Sequence, residues 1–122
     1  MRLGGRIQAA SEVLADIEIR RRPAANALKD WGLSHRFAGS GDRAAIGNLV
    51  YDTLRAKASL AYHAQSENLD TLVFALLCLG WGFTEKKLRQ ELDGDRFAPQ
   101  IPSTDWFENA VCLLYTSDAA DD

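Results

Sequence analysis

The sequence predicts an all-α fold of about six helices in a single domain. Ala and Leu are abundant while Val and Ile are sparse, which favours helix over strand. Apolar residues recur at helical spacing along most of the chain, and no segment gives a convincing strand pattern, repeat or low-complexity run. With 122 residues, of which 47% are hydrophobic and 25% charged, the chain can bury an ordinary core.

The first two helices are predicted from one apolar stripe and a proline. The stripe alternates steps of four and three residues, at Leu3, Ile7, Ala10, Leu14 and Ile17. Three arginines end this helix, where cations favour the negative end of the helix dipole. Pro23 suits the first turn of the second helix, whose apolar face carries Leu28 and Trp31 and whose end is weakened by Gly32.

The third helix has the clearest pattern, with an expected cap at Ser40 or Asp42. Its inner stripe comprises Ile46, Leu49, Val50, Thr53 and Leu54, and we expect helix to continue through residues 58–62. The nearly continuous apolar run Leu69–Leu79 is long enough for a buried helix, with a central strand as the competing interpretation. Thr84 is expected to cap the next helix, and Ser103 or Thr104 a final one.

Residues 111–122 differ from the rest of the chain and read VCLLYTSDAADD. They carry no caps or periodicity, and residues 112–121 resemble the translation of a common transposase-based sequencing adapter. We therefore expect a domain of residues 1–110, a final helix interrupted by a non-native tail, and a natural protein that continues past residue 110. A disordered acidic terminus is the alternative interpretation.

Residues 39–60 carry a family resemblance in the stretch GSGDRAAIGNLVYDTLRAKASL. This stretch resembles the signature helix of NusB-like RNA-binding domains, including the Asp42-Arg43 pair at its start. The opening residues 6–14 resemble the first helix of the same domain. The likeness is nearest to the version fused to the Sun/Fmu (RsmB-like) 16S ribosomal RNA cytosine-C5 methyltransferases, and a free-standing NusB-type antitermination factor is the alternative.

The resemblance implies a NusB-like helical bundle that binds ribosomal RNA in the bacterial cytoplasm. It also implies a missing methyltransferase domain in the same chain, which would bind S-adenosylmethionine and supply two working cysteines. Neither Cys78 nor Cys112 follows a Pro or Thr as the family's catalytic cysteines do, so this fragment is expected to have no catalytic or cofactor-binding residue. His35 and His63 lack partners at metal-ligand spacing, and no apolar stretch is long enough for a membrane span.

The charge distribution is uneven and indicates where RNA would bind. Residues 1–60 hold ten Lys and Arg against six Asp and Glu, a net of +4, whereas the whole chain carries −3. A basic front half on an acidic chain is typical of a localised polyanion site. The predicted RNA-binding residues are Arg20, Arg21, Arg22, Arg36, Arg43, Arg55 and Lys57, of which Arg43 and Arg55 could instead pair with the neighbouring Asp42 and Asp52.

Overall fold

The computed structural model describes the backbone of residues 1–117 and the side chains of residues 1–110. Within residues 1–117 there are seven helices and no strand, which confirms the predicted all-α bundle of about six helices. The helices are α1 (Leu3–Arg20), α2 (Ala24–Ser34), α3 (Ser40–Arg55), α4 (Lys57–Ala64), α5 (Leu69–Leu79), α6 (Glu85–Leu92) and α7 (Thr104–Ser117). The predicted third helix divides in two because Ala56 leaves helical geometry, at φ −112° and ψ 19°.

Helix α5 lies at the centre of the core. Its residues 72–77 are all buried, and α1, α3, α4 and α7 pack around it. The Asn68 side chain caps the helix by accepting a hydrogen bond from the Thr71 backbone N–H at 3.3 Å. The interpretation of the apolar run as a buried helix is therefore correct, and the strand alternative is wrong.

The stripes predicted for α1 and α3 face this core. Ile7, Ala10 and Leu14 are buried, and the stripe's two ends, Leu3 and Ile17, are half-buried. On α3 the buried stripe comprises Ile46, Leu49, Val50 and Thr53, with Leu54 half-buried. The spacing of apolar residues thus fixed which face of each long helix turns inward.

The predicted caps are correct for two helices and wrong for a third. Thr84 Oγ1 accepts a hydrogen bond from the Lys87 N–H at 3.1 Å, and Ser103 Oγ accepts one from the Trp106 N–H at 3.3 Å. Helix α3 has Gly39 at its N-cap, with no side-chain cap. The Asp42 carboxylate instead accepts two charge-assisted hydrogen bonds from Arg6 of α1.

Helix α7 continues beyond the boundary predicted at residue 110. The expected interruption is absent, since the helix runs through Thr104–Ser117, and residues 118–122 of the predicted tail lie outside the described residues. The helix is attached to the bundle by Trp106, whose Nε1 donates to the Ala64 carbonyl at 2.9 Å, and by the buried Phe107 and Ala110. The adapter origin of residues 111–122 stays a prediction.

Helix α2 lies at the edge of the bundle against α1 and α3. Arg21 turns the chain between α1 and α2 through the left-handed region, at φ 54° and ψ 45°. Ala27 is the only fully buried residue of α2. The helix passes the predicted weak point at Gly32 and ends at Ser34. Most of its side chains are therefore available to the surface on either side.

Candidate nucleic-acid interface

Arg20 and Arg22, at the end of α1, are bound to carboxylates. Asp16 accepts from Arg20 at 3.5 Å and from Arg22 at 2.9 Å, and Arg22 also pairs with Asp30 of α2. The hydrogen bond to Asp30 is the main reason that the pKa of Arg22 is raised. Arg22 joins α1 to α2, whereas Arg20 pairs within α1, and both arginines already have a carboxylate partner.

Arg55 and Lys57, at the α3–α4 junction, are also paired. Arg55 donates to Asp52 at 2.7 Å, as the sequence suggested, and Lys57 pairs with Glu18 of α1. The second carboxylate oxygen of Asp52 accepts from the indole Nε1 of Trp81 at 3.0 Å. Four of the seven predicted RNA-binding cations therefore already have an acidic partner.

The pairing suggested for Arg43 with Asp42 is wrong. Asp42 accepts from Arg6 Nη2 at 2.8 Å and lies 3.6 Å from the amino terminus. The hydrogen bond from Arg6, more than any other contact, lowers the pKa of Asp42. Because Asp42 turns towards α1, Arg43 is left without an ion pair or hydrogen bond among the described side chains.

Three of the predicted cations are free of ion pairs within residues 1–110: Arg21, Arg36 and Arg43. Arg21 is exposed at the α1–α2 turn and stands apart from the other two. Arg36 and Arg43 line one groove between α2 and the start of α3, with a volume of about 450 Å³. The structure therefore brings two of the seven predicted residues together with their charges available.

Lys29 of α2 also lines this groove, so that the groove holds three cations without an ion pair among the described side chains. The remaining lining is neutral, from Leu28, Gly32, Leu33 and Ala38, and includes no acidic side chain. A methyl group at Gly32 would lie 3.5 Å from Cδ of Arg43, so the arginine stem lies against α2 where the glycine leaves room. We call Lys29, Arg36 and Arg43 with this lining the basic groove.

The basic groove continues into a second depression of about 320 Å³ that Lys29 and Arg43 also line. Tyr51 of α3 stands there with 43% of its surface exposed. An exposed aromatic ring beside free cations can stack on a nucleic-acid base while the cations bind phosphate.

Sequence reasoning missed both Lys29 and Tyr51. Tyr51 had a signal in the predicted helical phase, since it falls just outside the α3 stripe. Lys29 had none of this kind, because Arg36 lies beyond the end of α2 at Ser34.

Other chemistry finds little support in the described part of the chain. No group of three or more His, Cys, Asp or Glu side chains in residues 1–110 could hold a metal ion. Cys78 is half-buried, and desolvation raises the pKa of its thiol to about 11, which makes it a poor nucleophile at neutral pH. No helix in the described residues is long and apolar enough to cross a membrane.

Comparison with protein-family models, curated proteins and solved structures finds no match to this chain. The likeness to NusB-like and Sun/Fmu proteins therefore rests on the sequence features given above, and membership of that family stays a prediction.

Proposed function

We propose that this chain is the RNA-binding domain of a bacterial 16S ribosomal RNA cytosine-C5 methyltransferase, and that it binds RNA through the basic groove. The observation that carries the proposal is the cluster of Lys29, Arg36 and Arg43, which has no acidic partner among the described side chains, whereas the other front-half cations are mostly paired. The kind of enzyme is inferred from the sequence resemblance alone.

The groove favours a polyanion for a simple electrostatic reason. A cation that is already paired gains little from a phosphate, because the phosphate must compete with the existing carboxylate. Lys29, Arg36 and Arg43 have no such competitor within residues 1–110, so each can neutralise a phosphate and release a condensed counterion. Three contacts to a single strand give an expected slope of log affinity against log salt of about −2.

Within the proposed enzyme this domain positions the RNA, and the missing domain of the same chain performs methyl transfer. S-adenosylmethionine and the working thiolates belong to that missing domain. Cys78, with its raised pKa and partial burial, supplies no thiolate here. Methyl transfer to RNA is accordingly expected from the longer protein only.

The test compares two triple variants that change the net charge equally. The groove variant carries Lys29→Ala, Arg36→Ala and Arg43→Ala, and the control carries Arg20→Ala, Arg55→Ala and Lys57→Ala, which removes cations that are already paired. Each is titrated with a 16S ribosomal RNA hairpin at two salt concentrations, after circular dichroism has confirmed its helicity.

We expect the groove variant to lose most of the salt-dependent affinity, with the salt slope reduced by about 2. The control should keep the larger part of both. Equal losses in the two variants would mean that only net charge matters, and the groove would lose its assignment. A wild-type chain that does not bind the hairpin would contradict the function itself.

A further inference from the structure

A second pocket, of about 480 Å³, lies between α1, the C-terminal end of α2 and the turn at residues 95–97. None of the three cations of the basic groove lines it. Its volume falls in the range of ordinary ligand sites. We call it the aromatic pocket, because its lining includes the rings of Trp31, His35, Phe37 and Phe97.

The rings of the aromatic pocket form an organised but uncovered surface. Trp31 and His35 stack with their centroids 4.3 Å apart and their planes 6° from parallel, and Phe37 meets His35 edge-on at 5.9 Å. Phe37 is nevertheless 75% exposed and Phe97 is 66% exposed. Neighbouring aromatic rings left in water at the mouth of a pocket are typical of a binding surface.

The charge available in the aromatic pocket is negative. Glu12 is exposed and forms no ion pair or hydrogen bond with the described side chains. Asp95 is half-buried: among the described residues its Oδ1 accepts only the Phe97 backbone N–H, at 3.0 Å, while its Oδ2 is buried beside Gly4 and contributes charge rather than an accessible acceptor. Two cations belong to lining residues, and both are engaged elsewhere: Arg2 donates to the backbone carbonyls of Glu91 and Asp93, at 3.1 and 2.7 Å, and the amino terminus of Met1 lies 3.6 Å from Asp42.

We propose that the aromatic pocket binds an arginine side chain presented by a protein partner. A guanidinium is planar, stacks on aromatic faces and donates hydrogen bonds to carboxylates, which matches what this pocket offers. Arg96 of the same chain already lies 5.6 Å from the Phe97 ring centre, so this ring accepts a guanidinium. RNA does not fit here, because its phosphates would face Glu12 and Asp95.

The proposal is tested by titrating the isotope-labelled chain with a short blocked peptide that contains one arginine. A twin peptide carries citrulline, which keeps the shape of arginine and removes its charge. The arginine peptide should give saturable shifts at the Trp31 indole and at the amides of residues 35–37 and 95–97. The citrulline peptide should bind about two- to fivefold more weakly than the arginine peptide, because it loses the cation–π attraction at an exposed site.

Variants then locate the binding. Phe37→Ala and Glu12→Gln, both at exposed positions, should each weaken the arginine peptide several-fold. Tyr62→Ala and Glu108→Gln remove an exposed aromatic ring and an exposed carboxylate outside the pocket, and should change nothing. Equal binding of the two peptides, shifts that map elsewhere, or unchanged affinity in Phe37→Ala and Glu12→Gln would each overturn the proposal. RNA binding through the basic groove should be unaffected by Phe37→Ala, so the two proposals fail separately.

Discussion

Replacing Gly4 by Ala tests how closely α1 approaches the turn before α7. A methyl group at Gly4 would lie 2.3 Å from Oδ2 of Asp95 and 2.7 Å from Cβ of Ala98. Ala98 Cβ is fixed to the backbone, and Asp95 is held by its bond to the Phe97 N–H, so neither can swing aside. Overpacking of this kind costs about 1–3 kcal/mol, which exceeds the gain in helix propensity of at most about 1 kcal/mol. Gly4→Ala should therefore destabilise the fold by about 1 kcal/mol.

Gly47→Ala in α3 is the matched control with the opposite expected sign. A methyl group there meets no atom within 4 Å, so the variant gains helix propensity without overlap and should be stabilised by about 0.5–1 kcal/mol. The melting temperatures of the two variants should differ by about 5–8 °C in thermal scans followed by circular dichroism. Two variants that shift the melting temperature in the same direction by similar amounts would refute the close approach of α1 to Ala98.

Three further outcomes are expected. The hydrogen bond from Arg6 lowers the pKa of Asp42, so this carboxylate stabilises the fold above its unfolded pKa of about 3.9, and the stability is lost as the pH falls through the folded pKa. The free energies of unfolding of wild type and Asp42→Asn should therefore differ at pH 7 and converge in acid. A difference that stays unchanged down to pH 2 would contradict the pairing. In a Cys112→Ser background, Cys78 should react with iodoacetamide at pH 8 about 100-fold more slowly in the folded chain than in urea, because its pKa is raised to about 11 from an ordinary value of 9.0. Similar rates in the two states would mean that the thiol is not desolvated. Thr84→Ala should lower the free energy of unfolding by about 1 kcal/mol through loss of the α6 cap. In the same chemical denaturation series Ser59→Ala, at an exposed position in α4, should not lower it, because Ala is the better helix former.

The helices were largely predictable because burial follows local periodicity. The stripe from Leu3 to Ile17 and the apolar run of α5 each carry their pattern within a few turns of chain. The division at Ala56 was missed because the residues around it, through Leu60, still follow a helical pattern. The cap at Asp42 was missed because its competitor, Arg6, lies 36 residues earlier in the sequence.

The sequence indicated a region for the candidate site but did not show which of its cations are free. The excess of basic residues in the front half of the chain pointed to that region, and its role in RNA binding stays a prediction. Which cations are free depends on partners distant in sequence, such as Glu18 for Lys57, 39 residues apart. Neighbouring residues gave one correct pairing, Arg55 with Asp52, and one wrong one, Arg43 with Asp42. Whether a cation is free to bind a phosphate depends on the tertiary structure, and the positions of basic residues in the sequence do not show it.

The single buried residue of α2 has a consequence for how the domain opens. The helix is anchored by Ala27, by the half-buried Leu28 and Trp31 and by the ion pairs of Arg22. Because it buries so few residues, we expect it to separate from the bundle while α5 and its neighbours stay folded. Its backbone amides should exchange with solvent deuterium well before those of α5. Because α2 lines both the basic groove and the aromatic pocket, a molecule held on either side would slow that exchange along the whole helix. Deuterium uptake by residues 24–34 is thus a single local signal for occupancy of either surface.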